Sequence, residues 1–173
     1  TCTIKGGANS GMIGMSVPGA YGDIYFTNLG FEGDVIGTGY NCGAIIGCNM
    51  KEAAVYHMKN CYSTGNISAA WWGGAISGWV GNNAVLENCW STAEVVGYDV
   101  PEHYVTFHGG NLTMNNCYCT GGTQSTIISN EQVTSGELCY KLNEGNTEMV
   151  WYQTLGEDAH PVFDASHGVV HRA

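Results

Sequence analysis

The chain has 173 residues, enough for one domain with a substantial core. Its net charge is -10 with only 5 Lys plus Arg, which argues against the basic surface that nucleic acids and anionic membranes require. Apolar residues make up 44%, which excludes disorder, and no apolar run reaches the ~18 residues needed to span a bilayer. Gly numbers 26 but Pro only 3, so the glycines read as recurrent turns and close backbone approaches.

In chain order the first element is a Gly-bounded apolar step, Gly11-Met12-Ile13-Gly14. It leads through Ile24 and Phe26 into Asn28-Leu29-Gly30-Phe31-Glu32-Gly33-Asp34-Val35. The same pair of motifs then recurs. Gly43-Ala44-Ile45-Ile46-Gly47 precedes Asn60-Cys61-Tyr62-Ser63-Thr64-Gly65-Asn66-Ile67. Gly74-Ala75-Ile76-Ser77-Gly78 precedes Asn88-Cys89-Trp90-Ser91-Thr92-Ala93-Glu94-Val95. Gly109-Gly110 is a remnant of the step before Asn116-Cys117-Tyr118-Cys119-Thr120-Gly121. The Asn positions follow one another at 32, 28 and 28 residues.

Aligning on the Asn makes apolar columns. Ile24, Tyr56, Ala84 and Leu112 form one, and Phe26, Met58, Leu86 and Met114 form another two residues later. Val35, Ile67 and Val95 form a third. A spacing of two is the strand period. Helical repeats of similar length want Ala, Leu, Glu and Lys, and a propeller blade needs about 40 residues. At ~3.3 Å per residue, 28 residues trace roughly 90 Å, enough for a closed coil of three strands and a loop.

The pattern therefore predicts an all-β fold, a right-handed parallel β-helix (β-solenoid) of about four coils. Coils stacked ~4.8 Å apart would place Asn60, Asn88 and Asn116 in a side-chain amide ladder, with Cys61, Cys89 and Cys117 beside it as a buried, reduced column. Hairpin turns of a β-sandwich are the alternative reading of the same Asn positions. With 8 Cys, a disulfide framework is the alternative for the thiols in an exported protein.

The paired Gly-Ala-Ile-x-Gly and Asn-Cys-Tyr-Ser-Thr-Gly-Asn-Ile motifs resemble the GLUG-type repeats of secreted and cell-surface bacterial proteins. These include IgA-peptidase-like and adhesin-like proteins, especially of gut Bacteroidota. The resemblance covers roughly residues 6 to 122; the first repeat lacks the Cys and the fourth lacks a clear Gly-Ile-Gly. It implies a secreted or cell-surface bacterial module for adhesion or binding, or a stalk of a larger surface protein, and no particular activity. The opening at Thr1 reads as a processed or excised segment.

The repeats are assigned to residues 1–128 and a small C-terminal α+β cap to residues 129–173. Thr134-Ser135-Gly136-Glu137 is a capping-box pattern opening a short helix, with Leu138 and Leu142 on one face and Asn143 or Gly145 at its end. The segment from Trp151 to Phe163 resembles the closing stretch of the same repeat proteins.

The candidate ligand face is the aromatic column Tyr62, Trp90 and Tyr118, extended by Trp71, Trp72 and Trp79. If the Cys points inward, the neighbouring ring points outward, and stacked rings suit the faces of sugars. Packing of these rings under loops is the other reading. The partners so implied are a glycan or a host surface protein.

A second column, Asp34, Asn66 and Glu94, sets two carboxylates ~9–10 Å apart, near the upper separation used by inverting glycosidases. A polysaccharide-active β-helix enzyme is thus the alternative function. A single Thr column, Thr64, Thr92 and Thr120, raises an ice-binding solenoid as a further alternative. His103 and His108 fall on opposite faces of a strand, and no nucleophile, metal or cofactor motif is read from the chain.

Overall fold

The computed structural model describes residues 2–16, 22–49, 55–80, 83–97, 106–108, 111–122 and 124–171. His103 and the Gly109-Gly110 remnant lie outside the described residues. The chain is mostly β with parallel sheets.

The strands are β1 (Cys2–Gly6), β2 (Ile13–Ser16), β3 (Ile24–Gly37), β4 (Tyr40–Gly43), β5 (Ile46–Asn49), β6 (Val55–Ser68), β7 (Trp71–Gly74) and β8 (Ser77–Val80). They continue as β9 (Asn83–Glu87), β10 (Trp90–Ser91), β11 (Glu94–Val96), β12 (Thr106–His108), β13 (Asn111–Asn115), β14 (Tyr118–Cys119) and β15 (Thr126–Ile127). Two helices follow, α1 (Asn130–Thr134) and α2 (Glu137–Glu144).

The repeat alignment becomes strand register. On β3 and β6, Ile24 pairs with Tyr56, Phe26 with Met58 and Val35 with Ile67. β9 continues the rows with Ala84 and Leu86, β13 with Leu112 and Met114, and β11 with Val95. A second sheet runs β12-β8-β5-β2 and a third pairs β4 with β7. Every ladder between these strands is parallel; the isolated bridge Tyr152–Val162 is antiparallel. Parallel pairing excludes the hairpin reading of the Asn motifs, because a two-residue turn reverses a strand.

Three apolar clusters follow from this register. The first joins Ile45, Ile46 and Ile76 of the Gly-Ile steps with Tyr56, Met58, Leu86 and the Cys61–Cys89–Cys117 column. The second holds Phe31, Val35, Ile67 and Val95 with Cys42, Ala44 and Ala75. The steps need glycine for close approach: a Cβ on Gly43 would lie 2.4 Å from the Gly78 nitrogen, and one on Gly78 2.4 Å from the Gly47 oxygen. Inside, Ser63 Oγ donates to the Ala75 carbonyl at 2.7 Å and sits 2.9 Å from Ser91 Oγ. Buried hydroxyls are thus satisfied where the first repeat has Phe31, the register partner of Ser63.

The third cluster sets Tyr62, Trp90 and Tyr118 against Ile128, Val133, Leu138, Leu142 and Trp151. The C-terminal segment therefore lies across the bend-side face of the repeats. Its helix start also differs from expectation. The capping box is Ser129-x-x-Gln132, opening α1, with Ser129 Oγ accepting from the Gln132 N–H. Thr134 instead donates back to the Asn130 and Glu131 carbonyls. α2 starts from Gly136 at φ 87 without a side-chain cap, because its N-cap residue is a glycine, while Glu137 is engaged by Lys141 and Gln132.

Candidate functional site

Two rows of left-handed bends run across the strands. The first is Asn28, Asn60, Asn88 and Asn116, with φ between 52 and 54. The second is Asn9 at φ 57, Asn41 at φ 58 and Trp72 at φ 47. Asn tolerates this region because its short amide bonds locally, whereas a bulky ring there is an outlier.

The first row keeps register but not one continuous amide chain. Asn60 Nδ2 donates to Asn28 Oδ1 at 2.9 Å, and Asn116 Nδ2 to Asn88 Oδ1 at 2.8 Å. Between them the expected ladder is broken. Asn88 Nδ2 turns to the Gly145 carbonyl at 3.1 Å and Asn146 Oδ1 at 3.0 Å, so Asn60 Oδ1 is buried without a donor. Asn116 Nδ2 also reaches the Lys141 carbonyl at 3.0 Å. These amides satisfy carbonyls at the end of α2 that a helix leaves unpaired. That competition is the physical reason for the break.

Past the bend the chain alternates. Cys61, Cys89 and Cys117 point into the first core cluster as free thiols, each within 3.6 Å of backbone carbonyls. Burial, reinforced by the Cys117 and Cys61 thiols, pushes the Cys89 thiol well above its ordinary range.

The next residues point the other way, and Tyr62 and Trp90 stack at 4.8 Å with 6° between their planes. They are not a free face. Trp90 is 0% exposed, and Tyr62 and Tyr118 are buried. Trp151, Phe163 and His160 close over the row, with His160 5.3 Å from the Trp90 ring. Tyr62 donates its hydroxyl to Glu32 at 2.7 Å, and Tyr118 to Asn116 Oδ1 at 2.6 Å. The expectation of an open sugar face on Tyr62, Trp90 and Tyr118 is corrected accordingly. The rings leave the core as alternation requires, and residues far along the chain then cover them.

One accessible ring, Tyr25 on β3, is 68% exposed and stacks on His57; a group of accessible rings lies on and beside the second bend row. Tyr40 is 52% exposed, Trp71 39% and Trp72 36%. Tyr40 and Trp71 are register partners on β4 and β7. Trp72 sits 5.8 Å from the Tyr40 ring and 6.4 Å from the half-buried Trp79 ring, the latter pair nearly parallel at 23°. Ile36 and Val96 are also exposed: each follows a residue of the Val35–Ile67–Val95 row, and Val96 accepts from the Ala69 N–H, two residues before Trp71. Tyr40 was absent from the candidates read from sequence. Aligning Tyr40-Asn41-Cys42-Gly43-Ala44 on Trp71-Trp72-Gly73-Gly74-Ala75 is the signal that finds it.

The remaining candidates disperse. Asp34, Asn66 and Glu94 are register partners at an accessible edge, and Asn66 puts both its N–H and Nδ2 on Asp34 Oδ1, at 3.1 and 2.8 Å. Thr64 pairs with Glu32, so the Thr row begins with an acid. A cavity of about 420 Å³ between α2 and the C-terminal tail is lined by Glu137, Tyr140, Lys141 and Glu144. Its polar groups answer one another, Lys141 with Glu137 and Tyr140 with Glu144, each at 2.8 Å. A cleft of about 170 Å³ lies beside the Tyr25–His57 stack. Among the described residues no group of three or more His, Cys, Asp or Glu could hold a metal ion, and no helix is long and apolar enough to cross a membrane.

Comparison of the chain with protein-family models, curated sequences and solved structures finds no significant match.

Proposed function

We propose that the chain is a right-handed parallel β-helix of about four GLUG-like coils over residues 1–128, with residues 129–173 as its cover. It serves as a non-catalytic binding module of a secreted or cell-surface bacterial protein, and its ligand is a neutral glycan. Support for the helix comes from parallel register between residues one repeat apart on all three sheets. Right-handedness follows from the general rule for parallel crossovers.

The observation that carries the binding reading is the exposed ring set Tyr40, Trp71 and Trp72 on the paired strands β4 and β7, with Trp72 at a left-handed bend. Such rings offer apolar faces to the C–H faces of pyranoses, and preformed geometry lowers the ordering cost. A net charge of -10 repels polyanions and favours neutral partners.

A glycan array tests this. Binding to neutral oligosaccharides is expected, with loss of signal in the Trp71→Ala/Trp72→Ala double variant. Equal binding by the double variant would move the site elsewhere. Release of new reducing ends from a bound polysaccharide would instead favour the β-helix enzyme reading.

A further inference from the structure

Trp72 stands where its row asks for asparagine. Tyr40 pairs with Trp71 and Cys42 with Gly73, so Asn41 and Trp72 lie opposite one another on neighbouring strands. One layer earlier, Asn41 Nδ2 donates to Asn9 Oδ1 at 2.7 Å. The pattern asks residue 72 to donate in the same way to Asn41 Oδ1. An indole side chain has one N–H and cannot reproduce an amide in that place. Asn41 Oδ1 is buried and has no hydrogen-bond donor among the described residues. The backbone at Trp72 is also held at φ 47, a conformation that bulky side chains rarely adopt.

Two independent penalties therefore meet at one residue, a strained bend and an orphaned buried acceptor. The ring is 36% exposed, braced by Tyr40 and Trp79, and leaves a face open to solvent. Strained residues cluster at active sites and ligand clamps, so strain at an exposed aromatic points to a ligand contact.

We infer that Trp72 is the ring on which the glycan stacks, held out of an asparagine row at a cost in stability that asparagine would relieve. This rests on the glycan reading above. The ligand class it suits is a β-1,4-linked neutral oligosaccharide, whose extended ribbon exposes C–H faces to an indole.

The test is Trp72→Asn. Asn at this bend tolerates the left-handed conformation and can donate Nδ2 to Asn41 Oδ1, extending the row. Thermal unfolding should rise by roughly 2 °C or more. Affinity, measured by calorimetry against the tightest binder among cellohexaose, chitohexaose and mannohexaose, should fall at least about tenfold. Trp72→Phe should keep the low melting point and part of the affinity. A variant Trp72→Asn that melts at or below the wild type overturns the cost. One that melts higher but binds as tightly as wild type overturns the ligand contact, leaving the glycan reading to other rings. If the wild type binds none of the three sugars and nothing on the array, the glycan reading itself falls.

Discussion

Asn88 donates its amide to the carbonyl of Gly145, 57 residues further along the chain, at 3.1 Å. A bend of the repeats and the end of α2 are thereby joined. The contact leaves no room for a side chain, since a Cβ on Gly145 would fall 2.0 Å from Asn88 Oδ1 and 2.5 Å from Asn116 Nδ2. Gly145→Ala should therefore destabilise the protein by about 1–3 kcal/mol by overpacking this joint. Urea unfolding measures the change. A red shift of Trp emission before the main transition would report the covering segment lifting from Trp90 and Trp151.

Trp90 is a core residue of the covered face. Trp90→Ala should cost about 3–5 kcal/mol, the range for deleting a buried large aromatic. At temperatures where the variant is folded, its glycan affinity should match the wild type. Loss of binding without loss of stability would contradict the burial of this ring.

The thiols differ sharply in access. Cys2 is exposed, and the other cysteines are buried. Burial pushes the Cys48 thiol up to about 11 and the Cys139 thiol up to about 12, and it also raises Cys89. Hydrogen bonding with Cys89 lowers the Cys61 and Cys117 thiols, so access rather than thiolate fraction decides reactivity, and native alkylation at neutral pH should modify exposed Cys2 alone. Mass spectrometry should show the remaining sites only after denaturation. A disulfide between any two of Cys61, Cys89 and Cys117 would contradict the free column.

The loop between Thr154 and Gly168 is pinned by ionisable groups. His167 Nδ1 lies 2.7 Å from Asp158 Oδ2, and Asp158 also accepts the Thr154 N–H. Asp158 raises the His167 pKa above 6.5, and the Thr154 N–H with His167 lowers the Asp158 pKa below 3.8. The histidine's contribution is full below its unfolded pKa and fades as pH rises through the folded one. The aspartate's is present above its unfolded pKa and fades as pH falls through the depressed one. The pin should be strongest between roughly pH 4 and 6.5. NMR titration of His167 should show its midpoint falling in Asp158→Asn.

Much of the strand arrangement is legible in the sequence. The strand rows Ile24–Tyr56–Ala84–Leu112 and Val35–Ile67–Val95 follow from a repeat of 28 to 32 residues, because a side-chain period of two leaves one register that buries them. The left-handed bends at Asn28, Asn60, Asn88 and Asn116 were legible for the same reason, as Asn at a repeated corner is a local signal.

What local pattern could not supply was which face would be covered. Alternation sends Cys61 inward and Tyr62 outward, but only long-range packing decides that Trp151, Phe163 and α2 close over Tyr62, Trp90 and Tyr118. The break between Asn60 and Asn88 has the same origin, since Gly145 and Asn146 compete for the Asn88 amide from far along the chain. The meaning of Trp72 also waited on tertiary structure. In the sequence it is one more aromatic; beside Asn41, with its acceptor unanswered, it is a departure from the row that the backbone bears at a cost. Periodicity is a property of neighbours along the chain, whereas exposure and hydrogen-bond competition are properties of neighbours in space.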